Sequence, residues 1–442
     1  MSNEINENEI NSPAEPATEA LEGTVFAENP EEIAMPEATP EQEPQTEEQF
    51  ANEEAPADCK KAKKSKKPKK AHSRGWYIGW MIFRRFLIVL LVLVLFLVGS
   101  LYALCYTLTN GPSDTVRDML VLSAKQASAT KWLPSLFLDE DTVQAILDNS
   151  KKVNVTEIDP EDFKPKPPQG ENGKPVNPEE YDEWADYPDG VRLEYIQGST
   201  YRAYLTVVKD PSRVFVGVCN NLGTAAFGQR IFDIAKKYNA LAVINGGEFP
   251  DTGTSPGNMP IGITYSQGKC VWDDHTHRTF IGIDKNNKLI VTEGMTRAEA
   301  DALSIRDGVC FQNGNVLITN ENGKVQLHYS DGNLGAAQRT AIGQRADGTM
   351  LLLVTDGRSA ASIGASKNDI IDFMVSQGAV VAGMLDGGTS SLMYYDNYIQ
   401  RYNIDPTTLD EYQLKGIVNK YKAFIPPRSL PTFFVVAKEG EE

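Results

Sequence analysis

The sequence predicts an α+β fold: a mixed, largely antiparallel sheet with a few packed helices, preceded by a single transmembrane helix and a stalk. Pairs of short apolar segments joined by polar turns, at residues 261–272, 280–291 and 341–354, are typical of β-hairpins. Helical periodicity is confined to a few segments of the same region. Strands and helices therefore do not alternate as they do in a doubly wound fold. A long uncharged apolar segment precedes these predicted strands and helices.

Two short helices are predicted after that apolar segment, at Ser113–Ala129 and Asp139–Asn149, because their apolar residues recur at helical spacing. Beyond them, Tyr201–Val208 and Arg213–Cys219 alternate as strands and are predicted to pair around Asp210-Pro211. The further predicted elements are helices at 229–238, 296–303 (with Thr296 and Glu299 as a capping box) and 366–377, and strands at 240–244 and 380–385.

The transmembrane helix is predicted at Phe86–Leu108, which holds 23 residues without a charge. Such a helix spans the roughly 30 Å hydrocarbon core of a bilayer. Arg84, Arg85 and a run of lysines precede it, and Asp114 follows it. The positive-inside rule therefore predicts a single-pass plasma-membrane protein with a cytoplasmic N-terminus and an extracellular C-terminal domain.

Charge and composition divide the chain into six predicted segments. Residues 1–58 hold 17 acidic and no basic residues and almost no aromatics, a composition that predicts disorder. Residues 59–108 hold 11 basic and no acidic residues, which are expected to fix topology and contact anionic lipid. The segments are: 1–58, a disordered acidic cytoplasmic tail; 59–85, a polybasic juxtamembrane segment; 86–108, the transmembrane helix; 109–190, an extracellular helical stalk with a Pro-rich spacer at 159–189; 191–437, a globular domain; and 438–442, a tail.

Residues 109–442 carry a net charge of −11, so the domain repels phosphate backbones and nucleic-acid binding is excluded as a function. The chain has five cysteines and no CxxC or Cys/His spacing of a zinc site. We expect Cys219, Cys270 and Cys310 to be small buried hydrophobic residues. A single disulfide bond between two of them is the alternative that the sequence leaves open. His275 and His277 share a strand face with Asp273, and metal ligation there is the alternative to a solvated hairpin edge. The sequence requires no cofactor and leaves open whether a divalent metal takes part.

Three segments join an apolar run to an abrupt polar cluster: QRTAIG at Gln338–Gly343, VTDGR at Val354–Arg358, and MLDGGTSSLM at Met384–Met393. Strands that end at a functional site have this pattern, because aliphatic residues bury the strand and Asp or Gly then turns the chain at its rim. We expect the three ends to converge. Taken singly, each Asp-Gly pair is an ordinary turn, so the prediction rests on their joint occurrence.

Together with INGGEF at Ile244–Phe249, GASKNDI at Gly364–Ile370 and RSLPTFFVV at Arg428–Val436, these motifs resemble the phosphodiester glycosidase family. The family includes N-acetylglucosamine-1-phosphodiester alpha-N-acetylglucosaminidase-like enzymes and exopolysaccharide-related bacterial envelope proteins. The resemblance covers Leu193 to Val436. The sequence departs from the family pattern at Glu248, where an aromatic residue is more common, and at Thr389, which replaces a third glycine.

The resemblance implies an enzyme that cleaves sugar-1-phosphodiesters, and the residue chemistry agrees with it. Arg339 and Arg358 offer bidentate donors for a phosphate, and Asp386 and Asp356 offer the carboxylates that act at the anomeric centre. Glycines and hydroxyl or amide side chains beside them could present N–H groups to an anion or bond sugar hydroxyls. This predicted substrate-binding set is Asn245, Gly246, Gly247, Glu248, Gly387, Gly388, Ser390 and Ser391.

The sequence therefore predicts a membrane-anchored extracellular hydrolase of sugar-1-phosphodiester linkages in envelope or exopolysaccharide glycans. Its partners would be a phosphorylated glycan and, through residues 59–108, membrane lipid. Two alternatives stay open: a non-catalytic glycan-binding or envelope-assembly protein on the same fold, and a phosphodiesterase that cuts the other P–O bond. Sequence patterns do not identify the sugar, the aglycone, the role of each Asp or the oligomeric state.

Overall fold

The structure is a computed structural model, and it describes residues 74–126, 130–150, 152–158, 182–224, 226–251, 256–330, 335–357, 359, 362–420 and 426–440. The predictions made for the acidic tail, most of the polybasic segment, most of the Pro-rich spacer, and Arg358 lie outside these residues. The described elements from Tyr77 onward belong to one compact unit.

Helices and strands follow the chain in a mixed order. The α-helices of the described residues are α1 (Arg74–Asn110), α2 (Asp114–Gln126), α3 (Glu140–Ser150), α4 (Ile231–Lys237), α5 (Arg297–Ala302), α6 (Lys367–Ser376) and α7 (Tyr398–Arg401). The strands are β1 (Val153–Ile158), β2 (Val191–Gln197), β3 (Arg202–Val208), β4 (Val214–Val218), β5 (Ala240–Asn245), β6 (Ile263–Ser266), β7 (Lys269–Asp273), β8 (Thr279–Asp284), β9 (Leu289–Glu293), β10 (Ile305–Phe311), β11 (Val316–Glu321), β12 (Lys324–Ser330), β13 (Thr340–Arg345), β14 (Met350–Thr355), β15 (Ala379–Leu385), β16 (Met393–Tyr395) and β17 (Thr432–Ala437).

Within the described residues, the strands form three sheets, and all their pairings are antiparallel. The largest sheet has eight strands in the order β1-β12-β11-β15-β13-β14-β3-β2. The others have the orders β7-β6-β10-β8-β9 and β16-β5-β17-β4. The predicted α+β class with largely antiparallel pairing is confirmed, with three sheets where the sequence suggested one.

The main core lies between these sheets. Ile342 and Leu352 of the eight-stranded sheet, Ile281 of the second sheet, and Ile244 and Phe434 of the third belong to one buried apolar cluster. The strands that supply them are buried on both faces, which is why they are continuous apolar runs in the sequence. Helix α6 contributes to the cluster on the other face of the eight-stranded sheet, and α4 to a cluster with the third sheet. The layers hold the strand ends rigidly.

Local sequence signals placed several elements correctly. The hairpins β6–β7, β8–β9 and β13–β14 form as predicted, and Gln267 and Asn287 adopt the positive φ that their turns need. Helix α5 has the predicted capping box of Thr296 and Glu299. Helix α6 also begins with a capping box, in which Ser366 is the N-cap.

The predicted pairing of Tyr201–Val208 with Arg213–Cys219 is wrong. Strand β3 pairs with β2 and β14 in the eight-stranded sheet, while β4 pairs with β17 in another sheet. Asp210 caps a short 3₁₀ helix at Pro211–Arg213, and the chain passes between sheets there. Both segments alternate as strands, but the partner of each is set by tertiary packing.

The globular unit also extends beyond the predicted boundary at residue 191. Strand β1, which the sequence assigned to the stalk, pairs along its length with β12 at one edge of the eight-stranded sheet. Glu183 pairs with Arg345 (2.9 Å) and Arg192 (3.2 Å), and Asp189 pairs with Arg401 (2.6 Å). Part of the stalk is therefore built into the domain.

Candidate active site

Two carboxylate-bearing turns follow neighbouring strands of the eight-stranded sheet. Strand β13 lies between β14 and β15, and its first residue, Thr340, pairs with Val354 on one side and Leu385 on the other. Because β13 is antiparallel to both, the ends of β14 and β15 emerge at the edge where β13 begins. Asp356 and Asp386 therefore share one edge, and their strands are about 10 Å apart across β13. The predicted convergence of the three strand ends at one edge is confirmed.

The backbone of Asp386 is held from two sides. Its N–H donates to the carbonyl of Gly246 (3.1 Å), and its carbonyl accepts from the side-chain amide of Asn245 (2.6 Å). The N–H of Gly388 donates to the carbonyl of Gln338 (2.9 Å), which fixes the next part of the turn. Gly388 adopts φ +63°, and a Cβ there would meet open space. Hydrogen bonds thus fix the turn that carries Asp386, and the space beside Gly388 is open.

The half-buried carboxyl of Asp386 has an unusual protonation equilibrium. Burial raises its pKa from the ordinary value to about 7, because removal from water penalises the charged form. The Ser390 hydroxyl, the Arg428 guanidinium and the backbone N–H of Gly387 each lower this pKa, whereas the nearby Asp251 carboxylate raises it. Asp386 consequently exchanges a proton near neutral pH, as catalytic carboxyl groups often do.

Arg428 is the cation beside Asp386, and sequence analysis did not assign it a role. Its guanidinium forms an ion pair with Asp251 (Nη2–Oδ1 2.8 Å) and lies over the ring of Phe249, 4.8 Å from the ring centre. Nη1 also donates to the hydroxyl of Thr389 (3.4 Å). About a quarter of the side chain is exposed (27%), so an anion in solvent can reach it. The only sequence signal was its position at the start of the motif RSLPTFFVV.

Ser390 and Ser391 contribute two buried hydroxyls to the same turn. Neither hydroxyl makes a well-formed hydrogen bond to another described residue, although that of Ser390 is close enough to Asp386 to lower its pKa. Their backbone is fixed, since Asn419 donates from its amide to the Ser391 carbonyl (3.1 Å). Buried hydroxyls are normally satisfied, and both of these are closed to solvent, so a bond to a ligand would require the turn to open.

Asp356 lies in a separate environment at the same edge. Its carboxylate accepts the backbone N–H of Lys420 (2.9 Å) and the hydroxyl of Tyr204 (3.3 Å). Burial raises its pKa to about 6, while these two hydrogen bonds and the charges of Arg202 and Lys420 lower it. The largest influences on the two pKa values come from different neighbours, so the two carboxylates share an edge but lie in different surroundings.

Arg339 is tied to the backbone beside the strand ends. Its side chain is buried, and its guanidinium donates to the backbone carbonyls of Ala365 (3.1 Å) and Gly335 (2.7 Å). Its predicted role as a phosphate donor stays a prediction. Arg358 lies outside the described residues, and its predicted role as a phosphate donor stays a prediction.

Four residues of the INGGEF motif are also engaged inside the protein. The N–H groups of Gly246 and Gly247 donate to the carbonyl (2.9 Å) and the hydroxyl (3.0 Å) of Thr432. A Cβ on Gly247 would lie 2.4 Å from the carbonyl oxygen of Cys310, so close packing requires glycine. Asn245 is fully buried, and Glu248 pairs with Arg278 (2.9 Å). These residues position the turn of Asp386, and their expected contact with substrate stays a prediction.

The alternative metal site is not assembled in the described residues: no three His, Cys, Asp or Glu side chains there are grouped to hold an ion. His275 is exposed and lies 3.4 Å from Asp273. A cavity of about 480 Å³ beside this hairpin is lined by Asp273, His275 and His277, together with Arg297 and Asp301, and by none of the predicted catalytic or substrate-binding residues. The described cysteines are free, including Cys219, Cys270 and Cys310.

Comparison with known proteins agrees with the motifs. The family model described as phosphodiester glycosidase matches residues 238–437. The resemblance predicted from the motifs is confirmed, and Asp386, Asp251, Asp356 and Arg428 all lie inside the matched residues.

The chain is also similar to individual proteins. Over 194 residues it is 24% identical to the uncharacterized protein YomE, derived from the SPbeta prophage of Bacillus subtilis (strain 168). That match covers 41% of this chain and 27% of the relative, so the chain spans about a quarter of that protein's length.

Among solved structures, the chain is similar to the catalytic domain of zebrafish N-acetylglucosamine-1-phosphodiester alpha-N-acetylglucosaminidase, auto-inhibited by its pro-peptide (TM-score 0.41, 19% identity, 56% of this chain and 82% of that chain). A Burkholderia pseudomallei protein described as exported is similar at TM-score 0.37 and 14% identity, over 54% of this chain and 74% of that chain.

Proposed function

We propose that the chain is a membrane-anchored extracellular hydrolase that cleaves sugar-1-phosphodiester linkages in envelope or exopolysaccharide glycans. The observation that carries this proposal is the group at the end of β15. There, Asp386, with its pKa near neutrality, stands beside the reachable guanidinium of Arg428 and the buried hydroxyls of Ser390 and Ser391. The substrate class is supported by the family of the domain in which this group lies.

In the proposed mechanism, Arg428 binds the phosphodiester and holds the sugar's anomeric carbon next to Asp386. A guanidinium binds two phosphate oxygens at once and keeps its charge at any physiological pH. The hydroxyls of Ser390 and Ser391 bond the remaining phosphate oxygens or a sugar hydroxyl. The substrate then lies across the open face of Gly388.

The ionised carboxylate of Asp386 attacks or stabilises the oxocarbenium-like centre as the C–O bond to phosphate breaks. Phosphate is already a good leaving group, so proton donation to it is less important than in an ordinary glycosidase. Asp356 is the second carboxylate of the proposal. It is positioned at the same edge by Tyr204 and Lys420, and it accepts the proton of the incoming water.

Product analysis tests this function. The full chain in detergent is incubated with a panel of sugar-1-phosphodiesters and with matched neutral glycosides, and products are identified by phosphorus NMR. Free sugar with a phosphomonoester supports the glycosidase, while sugar phosphate with an alcohol indicates the phosphodiesterase. Binding without turnover indicates a glycan-binding protein and contradicts the proposed reaction.

The pH dependence of turnover is the first prediction. If Asp386 acts as a carboxylate, kcat/KM rises as the pH rises through about 7, because the protonated form is lost above its pKa. Asp251→Asn removes a negative charge that raises this pKa, so the rising limb moves to lower pH. Asp396→Asn, which alters a surface ion pair with Lys438, is the matched control and leaves the limb in place. A rate that falls above pH 7 would instead make Asp386 a proton donor.

Arg428→Ala is the second prediction. It removes charge-assisted hydrogen bonds worth about 1.5–3 kcal/mol, so KM for phosphodiesters rises by roughly 10- to 100-fold. KM for neutral glycosides stays unchanged, because these lack the anion. Arg428→Lys keeps the positive charge but lacks the planar pair of N–H donors, so it recovers part of the affinity. An equal effect on charged and neutral substrates would show that Arg428 supports the fold of the turn instead.

The membrane anchor rests on α1, whose residues Tyr77–Asn110 suit a membrane span by length and composition. The proposed orientation gives the third prediction. In intact cells, external protease destroys a C-terminal epitope tag and spares an N-terminal one, because the basic residues lie before the span. Permeabilised cells, in which both tags are lost, are the control. Loss of the N-terminal tag from intact cells would reverse the orientation.

A further inference from the structure

The C-terminal end of α1 lies at the outer boundary of the hydrocarbon core of the bilayer. Arg84 and Arg85 place the start of the hydrocarbon segment near Phe86, and about 20 helical residues cross a core of roughly 30 Å. The segment therefore ends near Cys105. Tyr102 lies before that end, at the outer boundary of the hydrocarbon.

The chain returns to this boundary after leaving it. Helices α2 and α3 pack together through a buried cluster of Val121, Leu122, Val143 and Ile146. The loop that joins them, residues 130–138, contains a short 3₁₀ helix at Pro134–Leu136. Its Phe137 ring contacts the Tyr102 ring at 5.1 Å between centroids. A segment 35 residues further along the chain than Tyr102 is thereby placed at the same depth as Tyr102.

The 130–138 loop has the composition of a lipid-contacting segment. Trp132 and Leu136 are exposed by 60% and 58% of their surface, although both are large and apolar. Residues 131–138 (KWLPSLFL) hold one lysine and no acidic residue. Tryptophan favours the interface of a bilayer, where its ring is apolar and its N–H stays hydrated. Large exposed apolar side chains next to a membrane helix mark a membrane contact.

We propose that the 130–138 loop inserts into the outer interface of the phospholipid bilayer that holds α1, with Trp132 and Leu136 in contact with lipid. This inference rests on the proposed membrane span. The α2–α3 hairpin then lies on the membrane surface, and α1 does not act as a free tether. The lipid contact continues the apolar surface that α1 already exposes.

Fluorescence of the full chain in nanodiscs tests the loop. The emission of Trp132 is obtained as the difference between wild type and Trp132→Phe, in lipids with and without bromine near the glycerol end of the acyl chains. We expect bromine to reduce this emission at least roughly twofold, because a tryptophan at the interface contacts the upper part of the acyl chains. Water-soluble iodide should have little effect on it. Trp184→Phe isolates a tryptophan of the globular domain as the matched control, and its emission should be the same in both lipids.

The outcomes distinguish a failure of the loop insertion from a failure of the proposed membrane span. Trp132 emission that is insensitive to bromine and quenched by iodide overturns the loop insertion and leaves α1 in place. A chain that does not enter nanodiscs, or that carbonate extracts from membranes, overturns both the span and the inference that rests on it. Leu136→Ser provides a second variant, in which weaker lipid contact makes Trp132 more accessible to iodide.

Discussion

Asp386→Asn is expected to reduce kcat by about two orders of magnitude or more, the scale on which a directly reacting carboxyl group contributes. Asparagine keeps the shape of the side chain but removes its charge. The turn itself is held by backbone bonds to Gly246, Asn245 and Gln338, which the substitution leaves intact. Steady-state kinetics on a sugar-1-phosphodiester measures the effect.

Stability distinguishes this loss from misfolding. The pKa of Asp386 is higher in the folded chain than the ordinary value, so the folded state favours the protonated form. Its stabilising contribution is complete at acid pH and is lost as the pH rises through about 7. The amide of the Asp386→Asn variant cannot ionise, so this variant should melt at or above the wild-type Tm at pH 8. A folded variant with near wild-type turnover would remove Asp386 from the site.

Asn245→Ala is expected to lower the free energy of unfolding by roughly 3 kcal/mol, because buried polar partners lose their hydrogen bonds. The amide oxygen of Asn245 accepts from the hydroxyl of Thr340 (2.8 Å) and from the N–H of Leu392 (3.2 Å). Its amide nitrogen donates to the carbonyl of Asp386. One side chain thus links β5, β13 and the turn of the proposed site, and thermal unfolding should report its loss as a lower Tm.

The matched control is Asn320→Ala, at an exposed position of strand β11, where a surface substitution changes stability by less than about 0.5 kcal/mol. The sequence alone suggested that Asn245 binds sugar or phosphate. If Asn245→Ala kept the wild-type Tm while KM for the phosphodiester rose, that interpretation would be correct after all and the structural role would be wrong.

Local patterns predicted most of the hairpins and helices. The hairpin β13–β14 has a short turn at Asp347-Gly348, so its pairing is encoded within about 15 residues. Strands β10–β12 were not predicted, although β11 and β12 form a local hairpin through Asn322-Gly323. Strand β3 was paired with the wrong neighbour. Its partner β14 lies in a distant part of the chain, and partner choice then depends on which faces must be buried together.

The same dependence on tertiary packing explains which site residues the sequence predicted and which it missed. The end of β15 was predicted to carry Asp386, since an apolar run followed by Asp-Gly-Gly defines a strand and its turn. Residue type did not show which way an arginine points: Arg339 turns inward to backbone carbonyls, whereas Arg428 faces Asp386. Asp251 had no motif signal, because its part in the site arises only when β5 and β17 pair.

The position of β1 changes what a cut in the stalk would do. Strands β1 and β2 lie at opposite edges of the eight-stranded sheet, so residues 159–181 join two edges of one domain. Those edges are seven strand spacings apart, or roughly 34 Å, a distance that a chain of this length reaches easily. A protease that nicks this connection therefore leaves the six residues of β1 paired with β12. If the domain is extracellular as proposed, the nicked protein would stay attached to the membrane as two chains, and its release would require a cut before Val153.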